Sequence, residues 1–435
     1  MGYINMKKFN KDKYLKKLRF KKYKRYLYIG IPCILVLLIG IYFAYSKFSV
    51  FKEEEVVRTT VGDFISGDIV ITPYIDGEYS KTIPGKNDGY IVDKIVCDND
   101  ASASWDNDSW GIMVTNLTKR TKCNVYFETK KPSLTETITT AMSNNPSMFA
   151  SDDPGNNIRY IGKDPSNYVY FNCSYYNNQS DSTCEKWRII GVFNNVTKSD
   201  GTKENLVKII RDESIGSYSW DYTSSGSSFN DWSNSTLQKL LNSGAYYNAT
   251  TGTYYNRSVT PTNIDFTLIG LKNDITRNAI ESVIWNLGGT STYTSSSNGL
   301  ASQWYDYERG TTVYSGHATT WTGKIGLMYS SDYGYATFGG SSTSRATCLA
   351  KELYAWNSLK DCYNNDYLFK SNYYYWTLVP RSGNANIAFL VRSDGFVDIS
   401  GVDNIYGVHP VLYLKSSVSV VDGDGTSSNL YKLKM

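Results

Sequence analysis

The sequence predicts an α+β protein tethered by one N-terminal transmembrane helix, and three observations carry that reading. Residues 26–46 form an uncharged, apolar run of 21 residues bounded by Arg25 and Lys47. Beyond it, short β-rich runs recur between turn clusters, and a few segments open with helix-capping signatures.

At about 1.5 Å per helical residue, the run at 26–46 spans roughly 31 Å, the thickness of a bilayer's hydrocarbon core. The preceding residues 1–25 carry eleven Lys or Arg against the single acid Asp12. That asymmetry keeps the tail in the cytoplasm and sends the rest of the chain outside. The expected partners of this region are the membrane, through 26–46, and anionic inner-leaflet lipids, through the basic tail. A cleavable signal peptide is the competing reading, because Ala44-Tyr45-Ser46 has small-x-small form. The apolar run is, however, longer than the 7–15 residues of a signal core. Cys33 lies inside the run, as a lipid-facing or packing thiol rather than a lipoprotein cysteine.

Composition supports an extracellular placement. Removing the tail's eleven bases and one acid from the chain's 45 and 41 leaves 34 and 40, a net charge of −6. A mildly acidic remainder argues against a nucleic-acid partner. Six cysteines lie outside the anchor, an even number that suits disulfides in an oxidising compartment. Sequential neighbours are 26, 11 and 14 positions apart, and the expected bridges are Cys97 with Cys123, Cys173 with Cys184, and Cys348 with Cys362. None of them is arranged as Cys-x-x-Cys and neither histidine lies near a pair, so no zinc site is expected. The 38 tyrosines, with abundant Ser, Asn, Thr and Gly, suit sugar or peptide binding and are equally explained by codon bias.

After a stalk at 47–58, strands are expected at 68–75, 89–97, 110–116 and 123–127, a small β-sandwich-like module over 59–130. Lys130-Lys131-Pro132 breaks the pattern. Ser133-Leu134-Thr135-Glu136 then forms a capping box for a short helix in a linker at 131–154. Over 155–435, strands are expected at 168–173, 187–192, 207–211, 266–271 and 324–328. One helix should open at Ser235, and a second should cover 275–287, where Ile280, Val283, Ile284 and Leu287 fall at helical spacing before Gly288-Gly289. Ser393-Asp394-Gly395 marks a hairpin between strands at 389–392 and 396–399. No internal repeat of fixed period is present.

The order Trp187-Arg188-Ile189-Ile190-Gly191, Asn230-Asp231-Trp232, Leu240-Leu241-Asn242, Trp376-Thr377-Leu378 and Gly407-Val408-His409-Pro410 resembles a family of uncharacterised extracellular domains in Gram-positive bacterial surface proteins. That family is similar to the C-type-lectin-like fold shared with formylglycine-generating sulfatase-modifying proteins. The resemblance implies a lectin-like α+β module over 155–435. The family usually has Arg where this chain has His409, and its Trp-x-Leu-Arg-Ser is here Trp376-Thr377-Leu378-Val379-Pro380-Arg381-Ser382, with the arginine displaced.

Chemistry is sparsely signposted. No Gly-x-Ser-x-Gly, His-Glu-x-x-His, Gly-x-Gly-x-x-Gly or P-loop pattern occurs, and no catalytic residue, cofactor or metal is assigned. His409 precedes a proline at an apolar strand and reads as structural, and His317 reads as a loop residue. The acidic turns at 98–100, 106–108 and 422–425 lack full calcium-loop spacing and read as turns. In the run Tyr373-Tyr374-Tyr375-Trp376, strand alternation sends Tyr373 and Tyr375 to one face and Tyr374 and Trp376 to the other. The ligand-binding candidates are Tyr374, Trp376, Arg381 and Arg392. The expected protein is a single-pass cell-surface protein whose ectodomain binds a glycan or protein without catalysis. The alternatives are a carboxylate-based glycan hydrolase of the envelope and a purely structural envelope component.

Overall fold

The computed structural model describes residue 16 and residues 57–59, 69–116, 119–295 and 298–435. The expected membrane span at 26–46 lies outside the described residues. Among the described residues, no helix is long and apolar enough to cross a membrane. The chain divides into two compact units, Met1–Lys130 and Lys131–Met435.

The first unit contains β1 (Val57–Thr59), β2 (Ile69–Ile75), β3 (Glu78–Tyr79), β4 (Tyr90–Cys97), β5 (Ser102–Asp106), β6 (Gly111–Thr115) and β7 (Thr121–Thr129). They form a four-stranded sheet, β3-β2-β7-β4, and a three-stranded sheet, β1-β6-β5. Period-two burial in β7 places Thr121, Cys123, Val125 and Phe127 inward. Ile112 and Val114 from β6 join the same cluster. Trp105 meets Phe127 edge to face with centroids 5.3 Å apart, a favoured aromatic geometry. Cys97 and Cys123 are register partners across β4 and β7, and their disulfide staples the end of that pair.

The second unit is built on a sheet of order β18-β23-β12-β11-β9-β8, from β8 (Phe149–Ala150), β9 (Ile158–Tyr160), β11 (Glu185–Thr197), β12 (Lys203–Arg211), β18 (Ile325–Gly326) and β23 (Val411–Leu414). The long β11 pairs along its length with β12, while β10 (Tyr168–Phe171) occupies its first half and β9 its second. Gly191 permits this crowding, since a Cβ there would lie 2.0 Å from the Ile158 carbonyl oxygen. Between Phe193 and Val196 the β11/β12 register shifts, and Asn195 takes φ +53°, a left-handed conformation Asn tolerates well.

A second sheet of order β13-β22-β19-β20-β21 comprises β13 (Ser217–Ser219), β19 (Tyr375–Pro380), β20 (Ile387–Val391), β21 (Val397–Gly401) and β22 (Ile405–Gly407). Gly395, at φ +92°, closes the β20/β21 hairpin at the expected turn. Three two-stranded ribbons complete the strands: β14 (Thr251–Tyr254) with β15 (Thr262–Asp265), β16 (Val283–Asn286) with β17 (Thr320–Gly323), and β24 (Ser419–Asp422) with β25 (Lys432–Lys434). The helices are short: α1 (Leu134–Asn144), α2 (Thr236–Asn242), α3 (Ala245–Asn248), α4 (Asp274–Ala279), α5 (Ala301–Arg309), α6 (Ser330–Ala336), α7 (Arg345–Leu349) and α8 (Lys360–Asn364). Ser133 and Glu136 cap α1 reciprocally, and Ser235 caps α2 by accepting from the Gln238 amide.

The expected α+β class, including a C-type-lectin-like α+β module, is corrected by this structure. The described residues are mostly β, with 36% in strands, spread over several sheets, and 18% in helices. One cause is visible at 275–287. The helix ends at Ala279, and Val283 and Trp285 are buried while Ile284 and Asn286 are half-buried, an alternation of period two. The apolar spacing there satisfied both periods, and pairing with β17 decided for strand. The strand expected at 266–271 is a turn, with Leu268 83% exposed. Helix α1 is no linker element, because Leu134 and Ile138 belong to the main core of the second unit.

All three expected disulfides are present. Replacing Cys97 and Cys123 together by Ser should destabilise the first unit by roughly 3 kcal/mol, the value for a loop of this length. Hydrogen exchange in the full chain should show faster exchange confined to β4, β7 and their neighbours. Unchanged protection there would mean that the staple adds nothing.

Candidate functional site

The buried ionic cluster of the second unit begins with two sequence anomalies, charged residues set in apolar strand runs. Arg159 lies within Ile158-Arg159-Tyr160-Ile161, and Lys208 within Val207-Lys208-Ile209-Ile210. Both side chains point inward and are about 99–100% covered, with side-chain exposures of 1% and 0%. They converge on Asp332, itself fully buried in the first turn of α6. Asp332 accepts from Arg159 Nη1 at 2.9 Å, from Lys208 Nζ, and from the Tyr329 backbone amide at 3.0 Å. Arg159 also donates through Nε to Asp153, which accepts from Asn157 and Gly155 as well.

Burial alone would raise the Asp332 carboxyl, but Lys208 and Arg159 outweigh it and hold the group at about 2. Burial lowers Lys208 to about 8, against the pull of Asp332, so the lysine stays charged at neutral pH. Four rings surround its ammonium: Tyr329 at 4.5 Å, Phe193 at 5.0 Å, Tyr413 at 5.6 Å and Trp285 at 5.8 Å. Nearby, fully buried Glu308 accepts from the Ser331 amide at 2.8 Å and from the Ser331 hydroxyl. Burial pushes Glu308 up to about 7, with Arg309 pulling the other way.

These same four rings form part of a hollow of about 160 Å³ at the bulged end of β11. Its wall continues through Asn157, Asn194 and Asn195, crosses to Asn286 on β16, and is closed by Tyr305 and Arg309 of α5. The bulge is pinned from behind. The Asn194 backbone amide donates to Asn157 Oδ1 at 2.7 Å, and its Nδ2 donates to the Asn156 carbonyl at 2.8 Å. Arg309 lies flat on the Tyr305 ring, 3.3 Å from its centroid. The hollow therefore offers aromatic rings, amides and one guanidinium, and no carboxylate lines it. A second, more open concavity of about 270 Å³ lies between α2, α3 and the β14/β15 ribbon, where Lys239 is the only charged lining residue.

The residues expected to bind ligand are elsewhere. Tyr374 and Arg392 are brought together, with the guanidinium carbon 4.9 Å from the ring centroid. Arg392 is also paired with Asp394 and Asp398. Trp376 is 1% exposed and donates to the Tyr218 carbonyl, which makes it a core residue. It reaches the Tyr374 side only through Tyr406, which packs against both rings. Arg381 is held beside Thr290 by a backbone bridge, away from these rings. Tyr373 and Tyr375 face His409 on the other side of β19.

His409 is buried, and burial lowers it to about 4. Its Nδ1 lies 3.0 Å from the Arg211 carbonyl oxygen, so Nδ1 carries the proton, and Nε2 accepts from the Tyr373 hydroxyl at 3.0 Å. The acidic turns are occupied locally: Asp424 accepts from the amide and hydroxyl of Thr426, and Asp98 accepts from the Lys122 amide. Among the described residues, no group of three or more His, Cys, Asp or Glu could hold a metal ion. No family model, curated protein or solved structure matches this chain.

Replacing Asp332 by Asn keeps the side-chain shape and leaves Arg159 and Lys208 without their shared counter-charge. The expected cost is about 3–5 kcal/mol, read by urea unfolding. Glu308 gives a pH signature. Its folded value of about 7 exceeds the ordinary 4.5, so its stabilising contribution is full below 4.5 and is lost as pH rises through 7. Glu308→Gln should remove up to roughly 3 kcal/mol of that decline. His409 acts in the opposite direction, losing its contribution as pH falls from 6.5 towards 4, so the difference between wild type and variant isolates Glu308.

Proposed function

We propose that this is a membrane-anchored bacterial cell-surface protein whose extracellular part recognises a ligand, glycan or protein, without chemical turnover. The observation that carries the reading is the hollow at the β11 bulge, a concave surface of aromatic rings and amides with a single cation. Such a lining supplies contact area and directional hydrogen bonds. It lacks the pair of flanking carboxylates, about 5–10 Å apart, that a glycan hydrolase requires. Glu308 and Asp332 are both fully buried and engaged with Ser331, Lys208 and Arg159 rather than open to a substrate. The three disulfides support an oxidising compartment, which agrees with the outward orientation implied by the basic tail.

The test is a glycan array and a surface pull-down with the detergent-solubilised full chain, alongside Asn286→Trp, which fills the hollow from β16. A ligand captured by wild type should bind the variant at least tenfold more weakly, with unfolding unchanged. No ligand for a folded wild type, or a ligand indifferent to Asn286→Trp, would count against recognition in this hollow.

A further inference from the structure

Arg309 is the cation of the buried cluster that lines the hollow, and it has hydrogen-bonding capacity left over there. Arg159 and Lys208 pair with Asp153 and Asp332, and neither they nor the unpartnered, buried Arg159 Nη2 line the hollow. Arg309 uses only Nη1, which donates to the Tyr305 carbonyl at 3.1 Å and to Glu308 Oε2 at 3.3 Å. Its Nε and Nη2 have no acceptor among the described residues, and its side chain is 25% exposed within the lining of the hollow. Those two nitrogens form the side-on edge of the guanidinium, which matches the two oxygens of a carboxylate. Stacking on Tyr305 and the two Nη1 bonds fix the plane, so the edge is oriented before anything binds.

We propose that the hollow takes its ligand by a carboxylate, paired side-on with Nε and Nη2 of Arg309. This rests on the recognition reading above and assigns the ligand's chemistry. The charge balance favours an anion there. Asp153 and Asp332 are matched by Arg159 and Lys208, while Glu308, raised to about 7 by burial, offsets Arg309 only in part near neutral pH. The rest of the ligand meets Asn195 and Asn286, whose side chains make no hydrogen bond among the described residues, and the rings of Trp285 and Tyr413. A volume of about 160 Å³ is below the roughly 300 Å³ of a drug-sized site and suits a single residue-sized group. A uronate sugar and the terminal carboxylate of a peptide both meet this description.

Ligand-observed NMR titration of the full chain with glucuronate, N-acetylalanine and neutral methyl glucoside tests the assignment and separates the two sources. At least one carboxylate should bind tenfold or more tightly than methyl glucoside, and more weakly at high salt. Arg309→Lys retains a cation beside Glu308, and so the local fold, but lacks the planar fork. It should weaken the carboxylate about tenfold, and Arg309→Gln further. Equal binding of methyl glucoside, or carboxylate affinity unchanged in Arg309→Lys, overturns the carboxylate assignment. If a neutral ligand is then abolished by Asn286→Trp, recognition in the hollow still stands. If no ligand responds to Asn286→Trp, both readings fall.

Discussion

The second unit depends on the carboxylate of Asp332. It accepts hydrogen bonds from both buried strand cations, Arg159 on β9 and Lys208 on β12, and it also caps the turn into α6. Every residue of α6 is buried, so its position is fixed by what surrounds it rather than by solvent. Buried ion pairs of this sort contribute little net stability relative to a well-packed apolar core, because desolvation offsets most of the attraction. Their strength is asymmetric: once two cations are committed to the interior, any arrangement that separates them from Asp332 carries a large penalty. The network thus specifies how α6 seats against the sheet.

The same commitment shapes the hollow. Phe193, Trp285, Tyr329 and Tyr413 line it and also pack around the Lys208 ammonium. Gly326 makes room for the Trp285 indole, since a Cβ at that glycine would lie 2.9 Å from the ring. Repacking the wall would expose a charged lysine to an unfilled interior. The rings are therefore held by electrostatics as well as by contact area.

Parts of this were legible in the sequence and parts were not. The disulfides followed from parity and spacing, and the capping boxes at Ser133 and Ser235 marked real helix starts. Helices α5 to α8 were missed because they run only five to nine residues, too short for an apolar stripe of helical period to show. The expected platform around Tyr374 and Trp376 misjudged where aromatic area goes: seven of the ten tryptophans are fully buried, Trp376 among them. The signal for the buried cluster behind the hollow was the lone Lys208 and the lone Arg159 inside apolar strand runs. A charge at such a position must have a buried partner. The partner's identity, Asp332, lies 124 residues from Lys208, and no local pattern connects them.

Pre-organisation decides what this hollow can hold. Asn194 and Asn195 stand on a bulge whose backbone is fixed from two sides, by Asn157 and the Asn156 carbonyl on one and by Asn205, which accepts from the Asn195 amide, on the other. Arg309 is locked flat by Tyr305 and tied to Glu308. A ligand entering here orders few protein groups, so little of its contact energy is lost to conformational entropy. A small group with one well-matched charge contact can therefore bind usefully, whereas a large flexible ligand gains little more from walls that do not adapt. Rigid walls also make discrimination steric: a group that does not fit must displace rings packed around a buried ammonium, and that cost rejects it more effectively than any missing hydrogen bond.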